Sequence, residues 1–329
     1  MTKAIRVHNL GGPDALQWED VRVGDPAPNQ VRIRHTAIGL NFIDIYHRTG
    51  LYPVPVLPFT PGIEAVGIVE DMGSGVSASM PWIRVGSRVA YASPPVGAYS
   101  EARLIDADRV VPTPEGIDDK TAAALLLKGM TAYYLLRRTY PVQSGDTILI
   151  HAAAGGVGLI VCQWAAHLGA RVIGTVGSEK KAALARVHGC HYVIRYDRED
   201  FVSRVREITE GLGVPVVYDS VGKDTFDKSL DCLRPRGTMV SFGQSSGSVS
   251  PFDVAGLSAR GSLFLTRPTL MDYTRNREEL LETARETFEV VGRGIVRVEI
   301  HREFALSEAS SAHRALEGRE TTGSSILIP

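Results

Sequence analysis

Over roughly the first 120 residues, apolar and polar positions alternate in short runs, as at 31–35 (Val-Arg-Ile-Arg-His) and 88–91 (Arg-Val-Ala-Tyr), with Gly and Pro between them. A period of two turns one face of each run toward a core, so this stretch predicts the strands and turns of a compact β-rich unit. From about residue 122 the pattern changes. Short β-branched runs now alternate with segments of helical spacing. A strand at 147–150 precedes a helix near 157–168, and a strand at 171–176 precedes a helix at 178–188. A strand at 192–195, a polar helix at 199–210, a strand at 214–219 centred on Val216 and Val217, and strands at 238–242 and 262–266 complete the series. Gly169 and Gly189 stand where the first two helices must stop, as C-terminal caps require.

Such alternation predicts right-handed crossovers and a doubly wound parallel sheet with helices on both faces, an α/β fold. After Pro268 the character is mixed again: a charged helix at 277–291, a strand at 296–300 and a last helix at 307–317. The expected organisation is a β-rich substrate domain over 1–122, a nucleotide domain over 123–268 inserted into it, and a return to the first domain over 269–329, leaving a cleft between two lobes.

Composition narrows this picture. A length of 329 residues favours two domains, and 44% hydrophobic against 22% charged residues is the balance of a folded soluble chain. Lysine and arginine total 36 against 37 acids, a net charge of -1, so no overall field draws the chain to nucleic acid or to an anionic membrane. The opening residues carry Lys3, Arg6 and His8 and lack the continuous apolar stretch of a secretory signal. The most apolar tract, 148–166, holds His151, several glycines and Gln163, which suits a strand, loop and helix better than a membrane span. The three cysteines, Cys162, Cys190 and Cys232, fit a reducing cytoplasm and are expected to be small buried hydrophobes.

The chemistry begins at His151-Ala-Ala-Ala-Gly-Gly-Val-Gly158, between a predicted strand and a predicted helix. Ala153, Gly155 and Gly158 fill the three positions of a dinucleotide fingerprint, with alanine for the first glycine. Gly155 is expected to let the backbone approach a pyrophosphate, Gly158 to let the helix pack closely, and the helix N-terminus to present N–H groups and positive dipole to the anion. The loop lacks the Gly-Lys-Ser/Thr ending of a mononucleotide P-loop. The second strand of such a fold usually ends in an acid that binds both ribose hydroxyls; here it runs into Gly177 and Ser178. Ser178, Lys181 and Tyr196 offer a hydroxyl, an ammonium and a phenol, a set suited to a 2'-phosphate, so the expected cofactor is NADP(H).

The chain resembles the zinc-free medium-chain dehydrogenase/reductases of the quinone oxidoreductase family, the group that includes zeta-crystallin. The resemblance covers essentially the whole chain and rests on Gly39-Leu-Asn-Phe-Ile-Asp-Ile-Tyr46, Gly50-Leu-Tyr52, Pro61-Gly-Ile-Glu64, Lys128-Gly-Met-Thr131, the 151–158 loop, Tyr218-Asp-Ser-Val-Gly222, Ser241-Phe-Gly243 and Thr266-Arg-Pro268. It implies a Rossmann nucleotide domain inserted into a GroES-like substrate domain. It implies that Asn41, Asp44, Tyr46 and Tyr52 line the reaction site over the nicotinamide. It also implies that Lys128, Thr131, Ala153, Ala154, Gly155, Gly156, Val157, Gly158, Gly177, Ser178, Lys181, Tyr196, Ser220, Phe242, Gly243 and Arg267 hold the cofactor.

Zinc-dependent relatives place a cysteine and a His-Glu pair at the active site and four cysteines in a structural lobe. This chain has residues 37–40 without cysteine, Ile63 before Glu64, and no cysteine cluster, so no zinc site is expected. The one tempting group, His188-Gly-Cys-His191, falls at a helix end and reads as a capped turn. Without a Lewis acid the acceptor must be electrophilic already, which favours quinones and other conjugated carbonyls. Asn41 and the tyrosine hydroxyls would donate to oxygen as charge develops, and the aromatic faces would stack on a flat ring. Hydride transfer and transfer of single electrons both remain open, and no residue stands out as an obligate proton donor.

The leading expectation is therefore an NADPH:quinone oxidoreductase. An NADPH-dependent enone or alkenal double-bond reductase is the alternative within enzymes, and a non-catalytic, NADPH-regulated RNA-binding or structural protein the alternative of another class. A homodimer joined through the strand at 262–266 is implied by the resemblance. A small-molecule partner, no membrane and a cytoplasmic setting complete the expectation.

Overall fold

In the computed structural model, which describes residues 1–54 and 56–329, contacts group the chain into two units. One comprises Met1–Lys128, Arg275–Phe288 and Ile300–Pro329; the other comprises Gly129–Thr274 and Glu289–Glu299. The change of hydrophobic period near residue 122 marks the start of the helix Asp119–Tyr133, and the division falls within that helix. The segments 269–274 and 289–299, which the sequence pattern assigns to the returning tail, group with the nucleotide unit.

The second unit holds a six-stranded parallel sheet. Its strands lie in the order Tyr192–Arg195, Arg171–Val176, Thr147–Ile150, Val214–Asp219, Leu233–Ser241, Phe264–Thr266. Numbered along the chain, this is 3-2-1-4-5-6, the doubly wound order expected. All six residues of Val214–Asp219 are buried, as a central strand covered on both faces demands. Its Pro215 is accommodated by a shift of register between Val214 and Val216, since proline cannot donate to a regular ladder. The helix Gly156–His167 buries Leu159, Ile160, Val161, Cys162, Trp164 and Ala165, and Gly169 follows it with φ +85°. Ser178 caps the helix Glu179–Val187 by accepting the Lys181 N–H, and Gly189 at φ +84° lies just past its end. All three cysteines are buried and free.

The first unit is built on the eleven-residue strand Gln30–Leu40. It pairs antiparallel with Glu64–Met72, Ala102–Asp106 and Ser324–Ile328, so the end of the chain is woven into the first sheet. Its alternation supplies Val31, Ile33 and Ile38 to a core completed by Val69, Val89, Tyr91, Ile105 and Leu327. The strand expected at 296–300 lies instead at Ile300–Ala305, parallel to Ser324–Ile328. Only Phe304 of its six residues is buried, and a strand exposed along most of its length carries no apolar period to reveal it.

One complementary pair fixes the glycine loop to its sheet. A Cβ added at Gly174, on the strand beside the loop, would lie 2.5 Å from Ala153 Cβ and 2.6 Å from Cys190 Sγ. The methyl at the first fingerprint position is thus matched by a missing methyl opposite. Gly174→Ala is expected to destabilise the protein by about 1–3 kcal/mol, the usual penalty of overpacking, and adding Ala153→Gly should recover part of that loss. Thermal unfolding of the two single variants and the double variant checks this; purely additive effects would contradict it.

Candidate functional site

The residues expected on the acceptor side start at the end of the strand Gln30–Leu40. Gln30–Leu40 runs into Asn41, whose extended backbone opens the helix Phe42–Thr49. The Asn41 N–H donates to Asp44 Oδ2 at 2.9 Å, so the carboxylate of the third helical residue closes the first turn. Gly50 ends the helix at φ +81°, a left-handed cap that turns the chain back. The Tyr52 N–H then donates to the Tyr46 carbonyl at 3.0 Å, and the two rings lie 5.1 Å apart at 56°. Asn41, Asp44 and Tyr46 are buried and Tyr52 is half-buried.

Sequence reasoning missed the centre of this group. Glu64 is wholly buried; its Oε2 accepts the Asn41 side-chain amide at 2.8 Å, and its Oε1 accepts the Leu127 N–H at 2.6 Å. Lys128 Nζ lies 3.8 Å from Oε2, an ion pair without a hydrogen bond. The carboxylate fits because residue 39 is glycine: a Cβ there would come within 2.1 Å of Glu64 Oε2. Lys128, expected on the cofactor, is therefore placed with Asn41 through Glu64, while Thr131, one helical turn on, is buried.

Charge inside this pocket is finely balanced. Burial pushes the Glu64 pKa up, opposed by Lys128, the Leu127 N–H and the Asn41 amide. Burial lowers that of Lys128, opposed by Glu64 and Asp44. Asp44 is pushed up to about 7, by burial first; the Asn41 N–H and Tyr99 hydroxyl oppose this, Glu64 adds to it and Lys128 opposes it. Two buried polar atoms here, Asp44 Oδ1 and Lys128 Nζ, have no hydrogen-bond partner. An acceptor and a donor are thus both left without a hydrogen-bond partner in this buried charged group.

The residues expected to hold the nucleotide gather at the carboxyl ends of the parallel strands. The 151–158 loop, Gly177 with Ser178, Ser220, Phe242 with Gly243, and Arg267 each follow the carboxyl end of a strand, where open α/β sheets bind ligands. Gly155 is the N-cap of the helix Gly156–His167, so the N–H groups of Gly156, Val157 and Gly158 have no partner within the helix. A Cβ on Gly155 would meet only Ala152 O, at 3.2 Å, leaving its other side open, whereas one on Gly158 would lie 2.3 Å from the same oxygen. Gly158 therefore packs against the loop's own backbone. The left-handed residue of the turn is Ala152, at φ 53°, one position before the alanine that replaces the first glycine. Ala153 and Ala154 are buried beneath it.

At the ribose position, a Cβ on Gly177 would lie 2.4 Å from Tyr196 Oη, so the half-exposed phenol lies directly against Gly177. Ser178 Oγ accepts from the Lys181 N–H at 3.3 Å, which leaves its own hydrogen to donate. At the carboxyl ends of Val214–Asp219 and Leu233–Ser241, Gly243 is held against Ser220, whose carbonyl would be 2.7 Å from an added Cβ, and the Phe242 N–H donates to the Asp219 carbonyl at 2.8 Å. Arg267 is exposed beyond the edge strand.

His188 and His191 are used by the backbone. His188 Nδ1 bonds to the Leu184 carbonyl at 2.8 Å, and the Val172 N–H donates to His191 Nδ1 at 3.1 Å. Among the described residues no three His, Cys, Asp or Glu side chains are grouped to hold a metal ion, so this donor set does not fit zinc.

A raised carboxyl favours folding while it is protonated: the stabilisation from Asp44 is complete below its ordinary value of 3.8 and is lost as pH rises through about 7. Asp44→Asn keeps a carbonyl to accept from Asn41 but cannot ionise. Its stability relative to the wild type is expected to climb across that window by roughly 4 kcal/mol. Chemical denaturation at stepped pH measures the difference, and a difference that stays constant would refute the assignment.

The chain matches two families: residues 27–115 match the alcohol dehydrogenase GroES-like domain, and residues 156–288 match zinc-binding dehydrogenase. It is 51% identical over 329 residues to a quinone oxidoreductase of Pseudomonas aeruginosa, covering 100% of each chain. It is 50% identical to a 2-haloacrylate reductase of a Burkholderia species, covering 100% of this chain and 99% of the relative. The crystal structure of Escherichia coli quinone oxidoreductase complexed with NADPH superposes with a TM-score of 0.97 at 49% identity, covering 99% of this chain and 100% of that one. The parallel-sheet topology, the fingerprint loop and full-length identity to these enzymes agree: the chain belongs to the quinone oxidoreductase family of medium-chain dehydrogenase/reductases.

Proposed function

We propose that this protein is an NADPH-dependent quinone reductase. The observation that carries the reading is the carboxyl edge of the parallel sheet: a fingerprint loop and free helix N–H groups for a pyrophosphate, and a hydroxyl, an ammonium and a phenol where an acid would bind an unphosphorylated ribose. The E. coli relative of the same fold was solved with NADPH. We assign Ala153, Ala154, Gly155, Gly156, Val157 and Gly158 to the pyrophosphate, and Gly177, Ser178, Lys181 and Tyr196 to the phosphorylated ribose. Thr131, Ser220, Phe242, Gly243, Arg267 and Lys128 hold the remainder, the orphaned Lys128 ammonium gaining an acceptor. NADPH held in this way supplies reducing equivalents to the acceptor.

On the acceptor side, Tyr46 and Tyr52 present faces and hydroxyls to a flat ring, and Asn41 is oriented by its bond to Glu64. A second reading, reduction of an activated carbon–carbon double bond, is favoured by the 50% identity to a 2-haloacrylate reductase. The deciding measurement is NADPH and NADH oxidation with a benzoquinone, a naphthoquinone, an unsaturated aldehyde and 2-chloroacrylate, for the wild type and Lys181→Met. The quinones are expected to turn over fastest with NADPH, and Lys181→Met to weaken NADPH binding about ten- to hundredfold while sparing NADH, as loss of one charge-assisted contact implies. Faster turnover of chloroacrylate would install the second reading, and a wild-type preference for NADH would reject the cofactor.

The setting proposed is cytoplasmic, in keeping with three free, buried cysteines; among the described residues no helix is long and apolar enough to cross a membrane. We further propose a homodimer. Phe264–Thr266 ends the six-stranded sheet, with Phe264 and Leu265 exposed, and an open apolar edge of this kind favours pairing with its own copy. Light scattering should give twice the mass of the chain, and Phe264→Lys should halve it; a wild-type monomer would exclude the dimer.

A further inference from the structure

Asp44 receives hydrogen bonds on one oxygen only. Oδ2 accepts the Asn41 N–H at 2.9 Å and the Tyr99 hydroxyl at 3.0 Å. Behind Tyr99 a line of polar groups crosses the interior of the first unit. His313 Nε2 lies 3.0 Å from Tyr99 Oη, and Arg48 Nη1 lies 3.1 Å from His313 Nδ1. Arg48 also donates to Glu317 through Nη2 at 2.6 Å and Nη1 at 3.2 Å, and to the Gly11 carbonyl at 3.0 Å. Asp44, Tyr99, His313 and Arg48 are wholly buried; Glu317, at the end of the helix Ala309–Glu317, is partly exposed.

The direction of this chain is fixed by chemistry. A guanidinium has donors only, so His313 Nδ1 must accept. Burial first, and Arg48 second, hold the His313 pKa down to about 3, so the ring carries a single proton, which must sit on Nε2. That N–H donates to Tyr99 Oη, and the phenolic hydrogen is left for Asp44. Every link therefore donates toward the carboxylate. Because arginine does not give up a proton, the line ends in a permanent cation and cannot conduct protons inward. It can only polarise, each bond strengthening the next.

We propose that Arg48, His313 and Tyr99 are positioning residues whose one-way hydrogen-bond chain keeps Asp44 a carboxylate during turnover, and that this carboxylate holds the Asn41 backbone and the start of the Tyr46 helix in place for the acceptor. The inference rests on the acceptor site assigned above. Other charges act on the same carboxyl. Glu64, on the strand Glu64–Met72, opposes its ionisation, whereas Lys128, on the helix Asp119–Tyr133, favours it; Arg48, on Asp44's own helix, acts on the two links between, Tyr99 and His313. Glu317 partly neutralises Arg48.

The test reads Asp44 directly and apart from turnover: NMR titration of protein labelled with 13Cγ-aspartate, the Asp44 signal assigned by its loss in Asp44→Asn. Tyr99→Phe keeps the ring and removes the donor, and His313→Leu breaks the line; both should raise the Asp44 midpoint by about one pH unit or more, the worth of one hydrogen bond to a charged group. His313→Gln can still accept from Arg48 and donate to Tyr99, and should stay near the wild type. Glu317→Gln, at the partly exposed end, should move the midpoint the other way, downward, and remains informative if a core variant fails to fold. The acid limb of the kcat/KM profile with NADPH and benzoquinone should follow the midpoints of all four variants, shifted in three and near the wild type in His313→Gln. Midpoints unchanged in Tyr99→Phe and His313→Leu, an upward shift in Glu317→Gln, or a kcat/KM profile indifferent to shifted midpoints would overturn the inference. If no quinone is reduced at all, the function assigned above fails, and the NMR midpoints still decide the chain.

Discussion

A buried carboxylate, Glu64, sets the conditions for everything on the acceptor side. A charge taken out of water is tolerated only when its lone pairs are met, and here an amide, a backbone N–H and an ammonium surround it. Each partner is thereby fixed as well: the Asn41 amide is turned toward Glu64, the middle of the helix Asp119–Tyr133 is tied down at Leu127, and Lys128 is drawn inward, away from solvent. The absence of a side chain at Gly39 is the steric half of the same constraint. This corner of the fold is organised by hydrogen bonds and one ion pair among side chains and backbone.

The nucleotide unit was legible in the sequence because its signals are local. A strand followed by a glycine loop and a helix lies within some twenty consecutive residues, and β-branched runs alternating with helical spacing give the sheet its order. Even there the details followed from packing. The strained turn fell on Ala152, and Ala153 was explained only by Gly174 on the next strand. The first unit was less legible. Asn41, Asp44, Tyr46 and Tyr52 occupy twelve consecutive positions, and the structure gathers them. Arg48 lies among them, but Glu64, Tyr99 and His313 come from distant segments, Tyr99 and His313 being 214 positions apart. No period or spacing joins such residues; only the return of the C-terminal strand Ser324–Ile328 to the first sheet explains how the tail comes to serve this unit. The same exposure that hid the strand Ile300–Ala305 from the apolar pattern belongs to that returning tail.

Two kinds of order thus coexist. Around the 151–158 loop, shape dominates: glycines and small side chains let backbones approach, and the helix fixes the positions of N–H groups to which we assign a pyrophosphate. Around Asp44 and Glu64, electrostatics does it. Two carboxyls and one ammonium share a dry pocket, so the charge of each depends on the others, and any group that enters changes all three.

That interdependence bears on how one scaffold can serve acceptors as different as a quinone and a haloacrylate in enzymes of about 50% identity. Neither acceptor needs a metal to become electrophilic, but they differ in where negative charge develops, on a ring oxygen or beside a carboxylate. On the proposed reading, in which the acceptor lies beside Asp44, Glu64 and Lys128, their net charge should favour one over the other through small changes in protonation, with no change in the backbone that holds Tyr46 and Tyr52. An anionic acceptor would be disfavoured from the outset while both carboxyls are ionised, whereas a neutral one would meet them only as charge develops on it. Acceptor choice in this family should therefore depend as much on the buried groups behind the pocket as on the aromatic side chains that face it.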